Sequence, residues 1–306
     1  MAADTAPPPR TLGEMHADAR RRLTSLGLAE AALEARLLVE YVTATDRTQA
    51  LAHPDTVVPP DAVSMLETAL DRRAAGETVY RIIGRRNFHG VTLALSPETL
   101  DPRPDTEALV DLVLPELREI ASRQGACRIL DLGTGTGAIA LALLKELPLA
   151  RATGTDIQAG ALETARANAD LNGLSDRFDA VLSDWFERVD GRFHAIVANP
   201  PYIRSNEIET LSREVREHDP RQALDGGADG LDAYRRISST SAAHLEPDGI
   251  IAVEIGWDQA ADVTALFEAA GFALQRQARD LSGCDRALMF RKNAVQKGLG
   301  NTVDCR

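Results

Sequence analysis

No stretch of this chain is apolar for the roughly 18 residues that crossing a bilayer requires. The longest uninterrupted run, Ala138 to Leu144, stops at Lys145. The N-terminus, Met1 to Arg10, lacks a basic start followed by an apolar core, so no secretory signal is read there and a cytoplasmic protein is expected. Cysteine is scarce. Cys127, Cys284 and Cys305 make an odd count without metal-ligand spacing, which suits free thiols in a reducing compartment. The six histidines form no H-x₃-H or H-E-x-x-H pattern, so no metal is expected. Positive charge is also short. Lys and Arg number 34 against 46 Asp and Glu, a net charge of −12. Residues 1–98 carry 11 basic and 13 acidic side chains, residues 99–306 carry 23 and 33. A protein that grips long nucleic acid shows a basic face. This balance repels phosphate, so protein or small-molecule substrates are favoured over nucleic acid.

What remains is ordinary for a globular protein, with 44% hydrophobic and 26% charged residues. At about 150 residues per domain, 306 residues make two domains. Thr11 with Glu14 reads as a capping box, and Leu12, Met15, Ala19 and Leu23 recur at helical spacing. Ala29 to Tyr41 and Pro60 to Ala75 read as further helices, giving a helical bundle over 11–76. Val79 to Ile83 and Val91 to Leu95 look strand-like, with a turn at His89-Gly90, which makes 78–97 a hairpin linker. From Cys127 the pattern alternates β and α over a catalytic domain, 98–292. Strands are predicted at Arg128–Leu132, Ala152–Asp156, Phe178–Leu182, Phe193–Ala198, Ile250–Ile255, Ala273–Arg279 and Ala287–Arg291. This is an α/β pattern with a mostly parallel sheet. The connection Asp280 to Asp285 is too short for a parallel crossover, so the last strand is predicted antiparallel. Residues 1–10 and 293–306 read as disordered tails.

The segment Asp131-Leu132-Gly133-Thr134-Gly135-Thr136-Gly137 follows a strand and opens a helix. Its glycines allow a sharp turn and the close approach of a ligand. The P-loop lysine is missing, and the spacing is GxGxG rather than GxGxxG. Asp131 at the strand end suits a cationic ligand better than a pyrophosphate. Asp156, with Ile157 after it, ends the next strand, where a carboxylate can accept both ribose hydroxyls of an adenosine. Asp184-Trp185 ends the third strand and could flank an adenine. Sulfonium, ribose and adenine together describe S-adenosylmethionine.

Asn199-Pro200-Pro201-Tyr202 follows the strand Phe193–Ala198. Two prolines fix φ and remove two backbone donors, so local carbonyls can face a ligand. Acceptors from the Asn199 side chain and the Pro200 carbonyl could hold both N–H bonds of a planar amide or amine. Tyr202 could stack on it. The arrangement fits methylation of a nitrogen whose lone pair is delocalised, and no strong base is needed beforehand.

These residues, together with Arg103-Pro104-Asp105-Thr106-Glu107, Ser183-Asp184-Trp185, Ala223 to Leu231 and Glu254-Ile255-Gly256-Trp257, resemble the HemK/PrmC family. Its members are S-adenosylmethionine-dependent protein-(glutamine-N5) methyltransferases of peptide chain release factors. The resemblance runs from about residue 11 to 291. It implies a class I methyltransferase fold, a Rossmann-like seven-stranded sheet with its last strand antiparallel, carrying the helical bundle and hairpin. By that resemblance Gly133 to Gly137, Asp156, Trp185 and Asn199 would line the cofactor. Asn199 to Tyr202 would hold the substrate glutamine of a Gly-Gly-Gln loop. Arg103 would close over the site, and the bundle would dock the release factor to a monomeric enzyme. Thr78, Arg81 and Asp101 depart from the family pattern, all in or near the linker. The alternative reading is a nucleic-acid amino-methyltransferase acting on adenine N6 or guanine N2, against which the charge argues. An NAD-dependent oxidoreductase fits neither the GxGxG spacing nor Asp131.

Overall fold

The computed structural model describes residues 10–293. The tails predicted at 1–10 and 293–306, and Cys305, lie outside the described residues except for Arg10 and Asn293. The chain divides into two units. One takes the described chain up to Arg86, with Leu95–Pro97 and Thr210–Asp219. The other takes Asn87–Ala94, Glu98–Glu209 and the described chain from Pro220 onward.

The first unit is helical. Helix α1 (Leu12–Ser25) starts at a complete capping box, the Thr11 hydroxyl accepting from Glu14 N and the Glu14 carboxylate accepting from Thr11 N. Helices α2 (Ala31–Thr43), α3 (Arg47–Ala52), α4 (Pro60–Ala74) and α5 (Val79–Ile83) follow. Their apolar faces close over Met15, Leu23, Leu38, Leu66 and Leu70, all buried. Val79–Ile83 is therefore a turn of helix, which corrects the strand expected there. Its β-branched residues suit a strand. However, the Thr78 hydroxyl caps the turn by accepting from Arg81 N, and Gly84 ends it with a left-handed φ of 77°. Val79 and Ile82, three residues apart, are both buried in the bundle core, which a strand could not achieve.

The predicted turn at His89-Gly90 joins β1 (Arg85–Phe88) to β2 (Val91–Ala94). The hairpin's first strand thus lies six residues later than expected. A single 3₁₀ turn, Pro104–Thr106, leads into α6 (Glu107–Gln124). The alternation then runs β3 (Cys127–Leu132), α7 (Ala138–Glu146), β4 (Ala150–Asp156), α8 (Ala159–Leu171), β5 (Phe178–Leu182) and β6 (Phe193–Ala198). After these come α9 (Arg213–His218), α10 (Asp232–His244), β7 (Leu245–Glu254), α11 (Ala260–Ala269), β8 (Phe272–Arg279) and β9 (Asp285–Lys292). Seven strands form one sheet in the order β5-β4-β3-β6-β7-β9-β8. Strands β3 to β7 pair in parallel, and β9 runs antiparallel to both neighbours, as the short Asp280–Asp285 connection predicts.

Both sheet faces are covered. On one, Ile129, Ala195 and Ala252 pack with Val113 of α6 and Leu141 of α7. On the other, Leu130, Ile196 and Ile251 pack with Tyr234 of α10 and Phe267 of α11. The alternation along each strand is that of a doubly covered sheet. The chain order reverses between β3 and β6, and a crevice opens at the carboxyl ends of strands at such a switch point. The glycine loop leaves β3 there, and the Asn199 loop leaves β6.

Helix α9 is the exception to its sequence neighbourhood. It lies between β6 and β7 in the chain yet belongs to the helical unit. Arg73 of α4, almost fully buried, donates to Glu34 Oε2 at 2.6 Å and also to Glu214 of α9. Asp219 pairs with Arg81 Nη2 at 2.9 Å.

Candidate active site

The glycine loop is shaped by left-handed backbone at Gly133, Gly135 and Gly137, φ 68°, 53° and 82°. A Cβ at Gly133 or Gly135 would meet no protein atom within 4 Å, so these two border open space. Asp131, 1% exposed, accepts from Thr134 Oγ1 at 2.7 Å and from Ala140 N at 3.3 Å through Oδ2. Its Oδ1 is buried without a partner among the described residues. Burial pushes its carboxyl up to about 7, against the pull of those two donors. Thr134 N donates to Thr155 O at 2.8 Å, which anchors the loop on β4. Thr136 is buried, and its carbonyl accepts from Asn168 Nδ2.

Asp156 ends β4 and accepts from Gly135 N at 3.0 Å and Gln158 N at 2.9 Å. Burial raises its carboxyl as well. Ile157 beside it is exposed. Trp185 holds a left-handed φ of 50°, uncommon for a bulky residue, and packs on the sheet core. Asp184 is partly exposed, with Arg236 Nη2 3.4 Å from its Oδ2. The ends of β3, β4 and β5 therefore present Asp131, Asp156 and Asp184-Trp185 along one edge of the sheet, with the loop glycines between the first two.

Asn199 leaves β6 with its Nδ2 donating to Thr106 Oγ1 at 3.2 Å. Pro200 is buried, whereas Pro201 and Tyr202 are half-buried. The loop is clamped from behind. Ile203 N donates to Leu224 O, Gly226 N donates to Ile203 O, and Gln259 Nε2 donates to Tyr202 O at 3.1 Å. A Cβ on Gly226 would sit 2.8 Å from both Pro201 O and Tyr202 Cα, and one on Gly230 would sit 2.5 Å from Tyr202 O. Those glycines let two backbones touch. Burial, with Glu254 next in effect, pushes the Tyr202 phenol up to about 12, so it stays neutral. Arg103 is half-buried, and its charge acts on the same phenol.

Four further residues belong to this cluster, and sequence reasoning does not single them out individually. Thr106 holds Asn199. Gln259, 2% exposed, holds the loop carbonyl. Glu254 ends β7, buried beside Tyr202 and Thr106. Arg286 of β9 pairs with Asp280 at 2.8 Å and Asp105 at 3.5 Å. One signal exists for Glu254: a carboxylate directly ending the apolar run Ile250–Val253.

The residues fit S-adenosylmethionine on an observation independent of the motif. A buried carboxylate with one orphaned oxygen, beside a glycine turn bordered by open space, is costly unless a cation faces it. S-Adenosylmethionine carries two positive charges on its methionine part. Asp156 and Trp185 follow along the same edge of the sheet.

Comparison with known proteins bears on most of the chain. The methyltransferase small domain matches residues 110–227, and the PrmC N-terminal domain matches residues 14–84. A release factor glutamine methyltransferase from Agrobacterium fabrum is 52% identical over 90% of this chain and 95% of its own length. One from Bradyrhizobium diazoefficiens is 46% identical over 89% of this chain and 91% of its own. Among solved structures, a methyltransferase from Pyrococcus furiosus is 18% identical, covers 73% of this chain and 99% of its own, and superposes with a TM-score of 0.52, a likeness of fold.

Proposed function

The chain belongs to the family of release factor glutamine methyltransferases, and on that footing we propose how its own residues carry out the reaction. It is an S-adenosylmethionine-dependent enzyme that methylates a glutamine of a peptide chain release factor. The observation that carries this reading is the 52% identity over nine-tenths of the chain. We further propose that the target is the side-chain N5 of the glutamine in a Gly-Gly-Gln loop. The helical unit docks the release factor, and the enzyme works as a monomer in the cytoplasm.

Bound S-adenosylmethionine supplies an electrophilic methyl carbon. Asp131, Gly133, Thr134, Gly135, Thr136 and Gly137 hold its methionine part, Asp156 and Ile157 its ribose, and Asp184 and Trp185 its adenine. Asn199 borders both ligands. Its Oδ1 and the Pro200 carbonyl accept the two N–H bonds of the target amide. That pins the nitrogen and leaves its lone pair directed at the methyl carbon. Tyr202, kept neutral, lies flat against the amide plane, with Pro201 behind it and Arg103 over it. The nitrogen would take the methyl group as that group's bond to the cofactor's sulfur breaks, and would release one N–H proton to water. Placement of this kind supplies roughly 7–11 kcal/mol of barrier reduction.

The test is methyl transfer from labelled S-adenosylmethionine to four acceptors in parallel: an unmethylated release factor, the same factor with its loop glutamine changed, duplex DNA and ribosomal RNA. Label on the first alone is expected. Label on nucleic acid, with none on the release factor, would replace the substrate while keeping the Asn199 chemistry.

A further inference from the structure

Glu254 is a buried carboxylate beside Asn199 to which the methyl transfer described above gives no part. It ends β7, and Val253 pairs with Ala198 of β6, so Glu254 and Asn199 follow one another across two adjacent strand ends. Neighbouring strands lie about 4.8 Å apart. The Glu254 carboxyl is 1% exposed, and its Oε2 has no partner among the described residues. Burial opposes its charged form, and the nearby Thr106 and Tyr202 hydroxyls favour that form. Thr106 is also the residue that accepts from Asn199 Nδ2.

We propose that Glu254 is a positioning residue: acting through Thr106, it decides which end of the Asn199 side-chain amide faces the substrate. The argument is one of hydrogen-bond direction. A carboxamide has two donors at one end and an acceptor at the other. A threonine hydroxyl has one proton. When that proton goes to the Glu254 carboxylate, which as an anion can only accept, Thr106 Oγ1 is left as an acceptor. Asn199 must then turn its Nδ2 to Thr106 and its Oδ1 outward. Outward-facing Oδ1 is what an N–H of the target amide requires. A neutral amide at position 254 can donate as well as accept. Thr106 could then donate to Asn199, which would flip the carboxamide and set an N–H against an N–H.

The inference rests on the glutamine reading of Asn199, and its test separates the two. Glu254→Gln, Thr106→Val and Thr106→Ser are made in the full chain and assayed with release factor. Glu254→Gln and Thr106→Val should each lower kcat by about 10²-fold, the scale of a small misplacement of a reacting group. KM for the release factor and the affinity for S-adenosylmethionine should stay within about threefold of wild type. The double variant should be no worse than either single one. Thr106→Ser, which keeps the hydroxyl, should restore most of the rate.

A pH profile supplies a readout that a purely structural role would not move. The groups facing Glu254 are Asp105 and Thr106 ahead of α6, Tyr202 of the loop, Arg286 of β9 and Tyr234 of α10, whose hydroxyl donates to Glu254 O. Wild-type kcat should rise from pH 6 to 8 as the carboxyl ionises, and Glu254→Gln should lack that acid limb. An unchanged kcat in Glu254→Gln, or an acid limb that persists in it, overturns the proposal. Should Glu254→Gln fail to fold, equal rates in Thr106→Val and Thr106→Ser overturn it, and rescue by Ser supports it. A wild-type chain that leaves the release factor unlabelled overturns the glutamine reading and this proposal with it.

Discussion

Gly135 N donates to Asp156 Oδ2 at 3.0 Å, so the turn that leaves β3 is tied to the carboxylate that ends β4. In the proposed cofactor site, its two halves share a hydrogen bond. Asp156→Ala should therefore weaken S-adenosylmethionine binding twice over, by removing a ribose acceptor and by loosening the loop. Each charge-assisted bond is worth about 1.5–3 kcal/mol, so a loss of at least tenfold in affinity is expected by calorimetric titration. Unchanged affinity would remove Asp156 from the site.

Asn199→Ala removes the acceptor proposed to hold the target amide while leaving the glycine loop intact. Its kcat should fall by on the order of 10²-fold or more, and cofactor affinity should change much less. Turnover within a few fold of wild type would refute the assigned role.

Gly226→Ala tests the clamp behind the loop. The new methyl group would press on Pro201 O and Tyr202 Cα, both backbone atoms unable to step aside. A fall in kcat with nearly normal cofactor binding is expected. Gly133→Ala meets no such neighbour and carries only the strain of its left-handed backbone, about 1 kcal/mol. Its effect should fall on cofactor affinity instead.

Asp131 is expected to make cofactor binding pH-dependent. Its carboxyl is raised to about 7 in the ligand-free protein, and a cation favours the ionised form. Affinity should climb between pH 6 and 8, and Asp131→Asn should bind weakly with a flatter profile. Stability moves the opposite way. The folded chain holds a proton on Asp131 that the unfolded chain has released above its ordinary value of 3.8. The unfolded state thus binds fewer protons between about pH 4 and 7, and stability falls as pH rises across that window. Melting at pH 5.5 and 8 with and without S-adenosylmethionine measures both. The ligand should protect more at pH 8.

Arg73 is nearly buried between Glu34 and Glu214, so Arg73→Ala and Arg73→Met should both destabilise the chain, Met somewhat less. Either variant strips two carboxylates of their cation, a loss of about 3–5 kcal/mol for a buried pair, and Met recovers only the packing of the long stem. Urea unfolding of the full chain reads the difference.

The sheet is legible in the sequence because β3, β6 and β7 carry short apolar runs that stop at Asp131, Asn199 and Glu254, whereas β4 mixes Arg and Thr into its strand before Asp156. Those stops also mark the edge of the proposed ligand site. Val79–Ile83 reads wrongly because local pattern weighs β-branching, while a capping threonine, a terminal glycine and two buried positions three apart outweigh it. The membership of 210–219 in the helical unit has no local signal. Arg213-Glu-Val-Arg-Glu-His218 carries almost no apolar periodicity, and its anchor is an ion pair to a residue 141 positions earlier. Thr106 and Glu254 are visible as parts of motifs, but their joint effect on Asn199 depends on a hydrogen bond between segments 93 residues apart.

That distant anchor also sets a timetable. A ribosome adds about 5–20 residues per second, so Glu214 emerges on the order of ten seconds after Arg73. During that interval the nascent helices hold a guanidinium with half its eventual company, and Arg81 waits similarly for Asp219. The amino-terminal helices are made first but completed late, by a segment that follows the strand carrying Asn199. Vectorial synthesis thus ties maturation of one unit to passage through the middle of the other.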